Sequence, residues 1–478
     1  MTVYSLLIYL IVNELDMSDY LSRRSFLGGV ATMALLPLAP KLFLDSAQAA
    51  TQTLVEAKRI RSSNGVLNLT LKADESMLAF NSSKRWALTY NGVFPAPTLV
   101  LKPGDTLNIK LVNSTSMMTN LHTHGFHVSP SGNSDNPLVE IMPGKSFQYT
   151  IKIPKNHPSG TFWYHPHHHM FVAKQLSAGL AGAIIIEDAI DKQREFINSS
   201  DRVMVFADPR IGSDSSVMDT YMMDQAHGRL GEFLLINGQL NPQIISKPGL
   251  VERWRILNAC SSRYLNLTVE SSEIWLIATD GGRLPEPIQV DSIAVVPGQR
   301  AEVVIKPKRL GSHRILEGSE AVGTLKNTKE VSQNFSPKLM GVVPTLVATN
   351  SRTIRILGKG LMDMGDGQDS HEMMYDFDGK KFNASVINQV VKLGTTEDWI
   401  ISNESLMEHP FHIHAWSFLV IDNGDGQPEE GLRDVVSIPP SKSVTIRLKF
   451  NDYKGLTVYH CHNLDHEDFG MMGIVQVK

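Results

Sequence analysis

The chain of 478 residues is 42% hydrophobic and 20% charged, which is ordinary for a globular protein and long enough for about three domains. Its formal net charge of -4 provides no basic field for nucleic acid, and the body of the chain contains no apolar run that could span a bilayer. The composition therefore gives no indication of nucleic-acid binding or of a membrane-spanning helix in the body of the chain, so small molecules are the expected partners.

The first 49 residues are predicted to be an export signal. The stretch LSRRSFLGGVATMALLPLAP joins Arg23 and Arg24 to an apolar segment, and residues 47–49 offer a cleavage site of the A-x-A type. This pattern resembles the bacterial twin-arginine (Tat) signal, so the Tat translocase is an expected partner and a periplasm is the expected destination. An export signal should begin with basic residues, but the segment before Met17 carries acidic ones. Translation can therefore begin at Met17, which would leave residues 1–16 untranslated.

One segment recurs three times along the rest of the chain. KPGDTLNIKLVN, KPGLVERWRILN and KLGTTEDWIISN end at Asn113, Asn258 and Asn403, which are each 145 residues apart (258-113 and 403-258). In each copy a glycine turn precedes alternating apolar residues, which is a strand pattern. Short alternating strands separated by glycine and proline predict an all-β fold of three β-sandwich or barrel domains. These domains are expected at residues 50–190, 200–340 and 350–478.

Histidines are concentrated in the first and third repeats and are nearly absent from the second. They occur in LHTHG and WYHPHHH in the first repeat, and in HPFHIH and YHCHNLDH in the third. Because residues i and i+2 of a strand share a face, each H-x-H pair presents two imidazoles in one direction. If the first and third domains meet, four such pairs can enclose a metal cluster. The candidate ligands are His122, His124, His165, His167, His412, His414, His460 and His462.

A second metal site is predicted from YHCHNLDHEDFGMM near the end of the chain. Cys461 lies between two of the cluster histidines and should point to the opposite side of its strand. Together with His409, His466 and Met471 it would form an N,S,N site with a weak axial thioether, which is the blue-copper ligand set. A structural zinc site would be closed by four cysteine or histidine ligands and would not need the methionine.

These motifs resemble the four copper motifs of the multicopper oxidases, and the likeness extends from Thr89 to Met472. The resemblance implies three cupredoxin-like Greek-key domains, four copper ions, and reduction of dioxygen to water by four electrons taken one at a time from a substrate. It assigns a type 2 copper to His122 and His412. It assigns the type 1 copper to the Cys461 site, and a type 3 pair to His124, His165, His167, His414, His460 and His462. Because one chain carries both halves of the cluster, a monomer is expected.

Two acidic residues match the positions at which this family supplies protons to the cluster. Asp135 follows the HTHG motif, and Glu467 directly follows His466. A carboxyl group that relays protons at neutral pH should have a raised pKa. Asp135 and Glu467 are therefore the candidate catalytic residues, with raised pKa values expected at both.

Two substrate classes remain open, cuprous ion and phenols. Met362 and Met364 lie in a polar, glycine-rich stretch that is unsuited to a core strand, and thioethers suit Cu(I). Met407 stands two residues before His409, as in the copper efflux oxidases of this family, but Ser405 stands where those enzymes have a carboxylate. Oxidation of Cu(I) in copper tolerance is the main hypothesis, and laccase-like oxidation of phenols or other organic molecules is the alternative. A non-enzymatic alternative is an exported copper-binding protein.

Overall fold

The structure, a computed structural model, describes residues 52–80, 83–193, 196, 199–212, 222–332, 341–358 and 375–478. These residues form six sheets, which fall into three pairs that each come from one continuous part of the chain. The predicted export signal lies outside the described residues. Among the residues that are described, no helix is long and apolar enough to cross a membrane.

The first pair of sheets is built from β1 (Arg59–Arg61), β2 (Val66–Phe80), β3 (Ser83–Tyr90), β4 (Ala96–Leu101), β5 (Thr106–Asn113), β6 (His122–His124), β7 (Ser146–Lys152), β8 (Gly160–His165) and β9 (Gly182–Ile186), with helix α1 (Val172–Ala178). The strand orders are β1-β4-β9-β8-β6 and β3-β2-β5-β7. Buried Leu107, Ile109 and Leu111 alternate with more exposed residues along β5, as expected for a strand with one face in a core.

The second pair contains β10 (Ser200–Ala207), β11 (Leu235–Ile236), β12 (Gln243–Ile245), β13 (Glu252–Asn258), β14 (Leu265–Val269), β15 (Ser272–Thr279), β16 (Gly282–Val290), β17 (Ile293–Val295), β18 (Arg300–Pro307), β19 (Gly311–Glu317) and β20 (Glu320–Asn327), with helix α2 (Met222–His227). The strand orders are β11-β10-β13-β18-β15-β16 and β12-β20-β19-β14-β17. Trp254, Ile256 and Leu267 belong to the core of this pair.

The third pair contains β21 (Asn350–Gly358), β22 (Tyr375–Phe377), β23 (Ile387–Val391), β24 (Thr395–Asn403), β25 (His409–Ile413), β26 (Phe418–Asp422), β27 (Val435–Ile438), β28 (Ser443–Phe450), β29 (Gly455–Cys461) and β30 (Met472–Val477), with helix α3 (Leu464–Asp468). The strand orders are β22-β21-β24-β28-β26 and β23-β30-β29-β25-β27. The all-β fold predicted from the sequence is thus confirmed, while the domain boundaries stay predictions.

The threefold sequence repeat has a physical cause in the turns that flank β5, β13 and β24. Gly104, Gly249 and Gly394 have φ angles of +94°, +79° and +88°, a backbone conformation that favours glycine. At the other end of β5, the Asn113 side chain donates hydrogen bonds of 2.7 and 2.8 Å to the carbonyls of Met117 and Ile141. The equivalent asparagines bond two carbonyls in the same way, Asn258 to Arg263 and Val295, and Asn403 to Met407 and Ile438. Each asparagine therefore fixes the loop that leaves its strand.

A buried ion network joins the first pair of sheets to the second. Glu302 on β18 accepts hydrogen bonds from Arg253 Nη2 at 2.5 Å and from Arg255 Nη1 at 2.6 Å, and also from the Thr161 hydroxyl of β8 at 2.7 Å. Burial alone would raise the pKa of Glu302, but the two guanidinium groups outweigh it and hold that pKa below its usual range. The cost of burying these charges is thus offset by pairing between them.

Replacing Glu302 with glutamine should destabilise the fold strongly, because two buried guanidinium groups would lose their shared anion. Breaking a buried ion pair in this way costs about 3–5 kcal/mol of unfolding free energy. A thermal melt followed by circular dichroism should show a lower Tm for Glu302→Gln. The control is Glu270→Gln, which removes the partner of the exposed Arg314 and should leave Tm unchanged. Equal Tm values for both variants would contradict this account.

Candidate metal centre

Two strand pairs bring the H-x-H motifs into register. His122 on β6 lies opposite His165 on β8, and His412 on β25 lies opposite His460 on β29. The second histidine of each motif follows two residues later and shares the direction of the first. Each half of the molecule therefore presents a group of four imidazoles, either on its strands or directly after them.

The two groups of imidazoles meet face to face. The ring of His122 stacks on that of His414 with centroids 3.7 Å apart, and His124 stacks on His412 at 3.9 Å. Each stacked pair joins one histidine from the first pair of sheets to one from the third. The histidines of both groups are at most 2% exposed: His122, His124, His165, His167, His412, His414, His460 and His462. The seam between the two sandwiches is therefore lined with imidazoles.

The imidazole nitrogens form sets that could hold metal ions. In each set, one ligand atom from every residue lies within 4.8 Å of the others. The sets are His122, His124 and His165; His122, His412 and His414; and His167, His414 and His460. His462 borders these sets, with its ring 5.0 Å from that of His124.

Unpartnered nitrogens show that the cluster fits a metal. The Nε2 atoms of His122, His124, His165 and His412 are buried, and none of the described residues offers them a hydrogen bond. Such atoms are normally paired, since leaving one unsatisfied costs about 1–3 kcal/mol. Burial also lowers the pKa of each of these four imidazoles well below its ordinary value, which favours the neutral form that binds metals. Buried, neutral imidazoles in this number are a donor set suited to copper.

Both predicted acids contact the imidazole cluster. The Asp135 carboxylate lies 3.0 Å from His122 Nδ1 and accepts a hydrogen bond of 2.8 Å from the Thr123 amide. Glu467 on α3 lies 3.0 Å from His460 Nδ1 and 3.2 Å from His167 Nε2, so it contacts ligand candidates from both halves.

The raised pKa expected for these acids is found at only one of them. Burial raises the pKa of Asp135 to about 7. Burial would also raise the pKa of Glu467, but His460 and His167 outweigh it and leave that pKa below its usual value. The expectation is therefore wrong for Glu467, because the sequence did not reveal that two imidazoles flank its carboxylate.

A second set of donors lies in the core of the third sandwich. The Cys461 Sγ atom is 3.5 Å from His409 Nδ1 and 3.7 Å from His466 Nδ1. Met471 is fully buried in the same core, and its backbone bonds to both Cys461 and His466. Burial raises the pKa of the Cys461 thiol, so a metal that binds the thiolate must displace its proton. Two imidazoles and a thiolate, with a methionine buried in the same core, fit a blue-copper site.

Polar side chains hold the outer nitrogens of this second set. The Ser405 hydroxyl lies 3.0 Å from His409 Nε2, and the Asn463 side chain lies 3.3 Å from His466 Nε2. Tyr375 covers both imidazoles with its ring, whose centroid is 4.6 Å from that of His409 and 4.5 Å from that of His466. The orientation of each candidate ligand is therefore fixed by a neighbour.

The methionines proposed for Cu(I) are only partly described. Met407 is half-buried beside Leu406, which is 93% exposed, and its carbonyl accepts hydrogen bonds from Asn403 and Ser405. Met362 and Met364 lie outside the described residues.

Two charged residues near the cluster were missed in the sequence. Asp434 Oδ1 lies 3.4 Å from His124 Nδ1, and Arg300 forms a bidentate ion pair with Asp434. In RDVVSI and RAEVVI each of these charges stands at the start of a largely apolar strand, and this could have drawn attention to both positions, because buried charges require partners.

The comparisons with known proteins agree with this geometry. Models of the multicopper oxidase family match residues 72–191, 163–334 and 358–478. The chain is 32% identical over 438 residues to a multicopper oxidase of Staphylococcus haemolyticus, covering 88% of this chain and 91% of the relative. It is 26% identical to a laccase of Bacillus subtilis, covering 80% of this chain and 88% of the laccase.

A solved structure with the same architecture is the multicopper oxidase of Campylobacter jejuni, described as a metallo-oxidase. It superposes with a TM-score of 0.79 at 30% identity, covering 93% of this chain and 99% of that one. Sequence, fold and histidine geometry thus agree, and the chain belongs to the multicopper oxidase family of oxidoreductase enzymes.

Proposed function

We propose that this enzyme takes single electrons from a reducing substrate at a type 1 copper and delivers four of them to dioxygen at a trinuclear copper cluster, forming water. The observation that carries the proposal is the position of Cys461. This residue belongs to the thiolate set, while its chain neighbours His460 and His462 belong to the imidazole cluster. Two metal centres would therefore be joined by a few covalent bonds of β29.

The proposed ligands follow the donor sets. The type 1 ion would be held by His409, Cys461, His466 and Met471, and the type 2 ion by His122 and His412. The type 3 pair would be held by His124, His165, His167, His414, His460 and His462. When bound, the four copper ions supply one-electron redox chemistry and the reduction of dioxygen.

The side chains around the cluster prepare it for that chemistry. Burial keeps the imidazoles neutral, so their nitrogen lone pairs are available. Asp135, with a pKa raised to about 7 by burial, can hold a proton beside His122 Nδ1 near neutral pH. Glu467 lies between His460 and His167 and contacts both halves of the cluster; because those imidazoles lower its pKa, it would take part as a carboxylate that accepts protons and passes them on.

The favoured substrate is Cu(I), with a role in copper tolerance. Met407 supplies a thioether two residues from His409, next to the highly exposed Leu406. The Ser405 hydroxyl occupies the position of the family's carboxylate and contacts His409 Nε2, so a polar link to the type 1 ligand is retained. The metallo-oxidase description of the similar Campylobacter jejuni protein supports this choice.

Laccase-like oxidation of phenols is the second candidate. Tyr375 presents an aromatic ring against both type 1 histidines, which suits contact with an aromatic donor. The similarity to the Bacillus subtilis laccase favours the same substrate class.

We also propose that the protein is exported by the Tat translocase to a periplasm and acts there as a monomer. The support is the pair Arg23 and Arg24 before an apolar stretch, together with the presence of both halves of the cluster in one chain.

Oxygen consumption by the copper-loaded protein tests the substrate. Uptake with Cu(I) should be much faster than uptake with a phenol. Met407→Leu should lower kcat/KM for Cu(I) several-fold and leave the value for the phenol unchanged, because leucine keeps the volume but lacks the sulfur. Faster uptake with the phenol would favour the laccase function, and no uptake with either substrate would overturn the oxidase proposal.

Cys461→Ser should remove the intense blue absorption and reduce oxygen consumption to background. Serine lacks the soft thiolate that defines the type 1 site, whereas the histidine cluster is untouched. The copper content should accordingly fall by about one ion per chain, the share of one blue-copper site. Retention of the blue colour would show that the thiolate ligand is elsewhere.

Glu467→Gln should slow turnover by about 10²–10⁴-fold, the usual contribution of a general acid or base. Glutamine keeps the shape of the side chain but cannot exchange a proton in the same way. Steady-state oxygen uptake at saturating substrate measures the effect, with the visible spectrum as a check that copper is retained. Asp425→Asn is the control, since that carboxylate is exposed and pairs with Lys442. A turnover close to that of this control would exclude Glu467 from proton transfer.

A further inference from the structure

A buried arginine of the middle sandwich reaches the seam between the other two. Arg300 begins β18 and is 1% exposed. Its Nη1 and Nη2 atoms each donate a hydrogen bond of 2.6 Å to the Asp434 carboxylate of the third sandwich. Its Nε donates to the carbonyl of Thr161 on β8, in the first sandwich, at 3.1 Å. One guanidinium group therefore bonds to both of the sandwiches that supply the cluster histidines.

Asp434 faces one cluster histidine from each side of the seam. Its Oδ1 atom lies 3.4 Å from His124 Nδ1, and its backbone carbonyl lies 2.7 Å from His412 Nδ1. The Nε2 atoms of the same two histidines are buried and unpartnered among the described residues. An imidazole that gives its Nε2 lone pair to a metal carries its proton on Nδ1, so that proton requires an acceptor. The Asp434 carbonyl supplies that acceptor to His412, while the Asp434 carboxylate lies at ion-pair distance from His124 Nδ1.

Arg300 contacts both the Asp434 carboxylate and the ring of His124. Its Nη1 lies 3.3 Å from His124 Nδ1 and can donate a hydrogen bond to it, so the guanidinium group and the Asp434 carboxylate both contact the same ring nitrogen. The bidentate pair also holds the carboxylate in one orientation, since both of its oxygens are bonded.

The backbone leaves room for this arrangement at the residue after His124. Gly125 has a φ angle of +85°, and a Cβ atom there would lie 2.3 Å from Arg300 Nη2 and 2.7 Å from Asp434 Oδ2. Only a residue without a side chain lets the ion pair pack against this part of the chain.

We propose that Arg300 is a positioning residue of the cluster: it fixes the ring of His124 directly and, through Asp434, holds His412 with Nδ1 protonated and Nε2 directed toward copper. This inference rests on the proposed function, because it takes both histidines as copper ligands. The middle sandwich, which supplies none of the proposed ligands, would then control the copper affinity of the other two.

Copper affinity of the apo protein tests the proposal without relying on turnover. The protein would be titrated with Cu(I) against a competing chelator, and the oxidised, loaded form would be studied by EPR and visible absorption. In Arg300→Lys, cluster copper should bind about 10–100-fold more weakly, as expected for loss of a partner behind a ligand. The type 2 EPR signal should change, while the blue absorption of the Cys461 site should stay, as an internal reference.

The matched control is Arg253→Lys, the same substitution in the neighbouring strand β13, where the arginine bonds Glu302 and Asp191. It should lower Tm but leave cluster affinity unchanged. Wild-type affinity and EPR signal in Arg300→Lys would overturn the proposal, as would equal weakening in Arg253→Lys.

A third variant covers the case in which Arg300→Lys does not fold. Asp434→Asn should then weaken cluster copper and leave the blue site intact, and unchanged affinity would overturn the proposal. Wild-type protein that takes up copper only at the Cys461 site would instead overturn the proposed function, and this inference with it.

Discussion

The burial of eight imidazoles at the seam between the first and third sandwiches is the constraint on which the rest of the structure depends. Stacked rings join the two halves, yet several ring nitrogens at the seam have no partner among the described residues. Each such nitrogen opposes folding by about 1–3 kcal/mol. Metal binding would remove that cost, so the free energy of copper binding and the free energy of docking the two sandwiches are coupled.

The middle sandwich shows what the same repeat does without the H-x-H pairs. Positions 145 residues after His122 and before His412 coincide at Leu267 (122+145 and 412-145), which is buried in an apolar core. This sandwich contributes charged contacts to its neighbours instead. Glu302 and its arginines bond to the first sandwich, and Arg229 bonds Asp465 on the helix that carries His466. Of the three sandwiches, two thus carry the candidate metal ligands, and the middle one contributes charged contacts to both of them.

Local patterns in the sequence were sufficient to predict the fold and the donor sets. Strand alternation places His460 and His462 in the cluster and Cys461 on the other face, and this depends only on neighbouring residues. The Asn113 repeat likewise marks a turn whose hydrogen bonds are local.

Long-range contacts could not be predicted in the same way. The pair of Arg300 and Asp434 joins residues 134 positions apart, and the pKa of Glu467 depends on His167 from the other half of the chain. Such effects arise from the docking of whole sandwiches, and local sequence patterns do not indicate which residues meet there.

The two donor sets differ in how much of the chain each requires. The Cys461 set lies entirely within β25, β29 and the segment that follows, so it is complete once the third sandwich has folded. The imidazole cluster is complete only after the first sandwich has docked as well. The two donor sets therefore become complete at different stages of folding. A chain synthesised from its N-terminus contains half of the cluster histidines before the other half has been made. A metal ion can therefore bind residues of both halves only after the third sandwich has folded and docked.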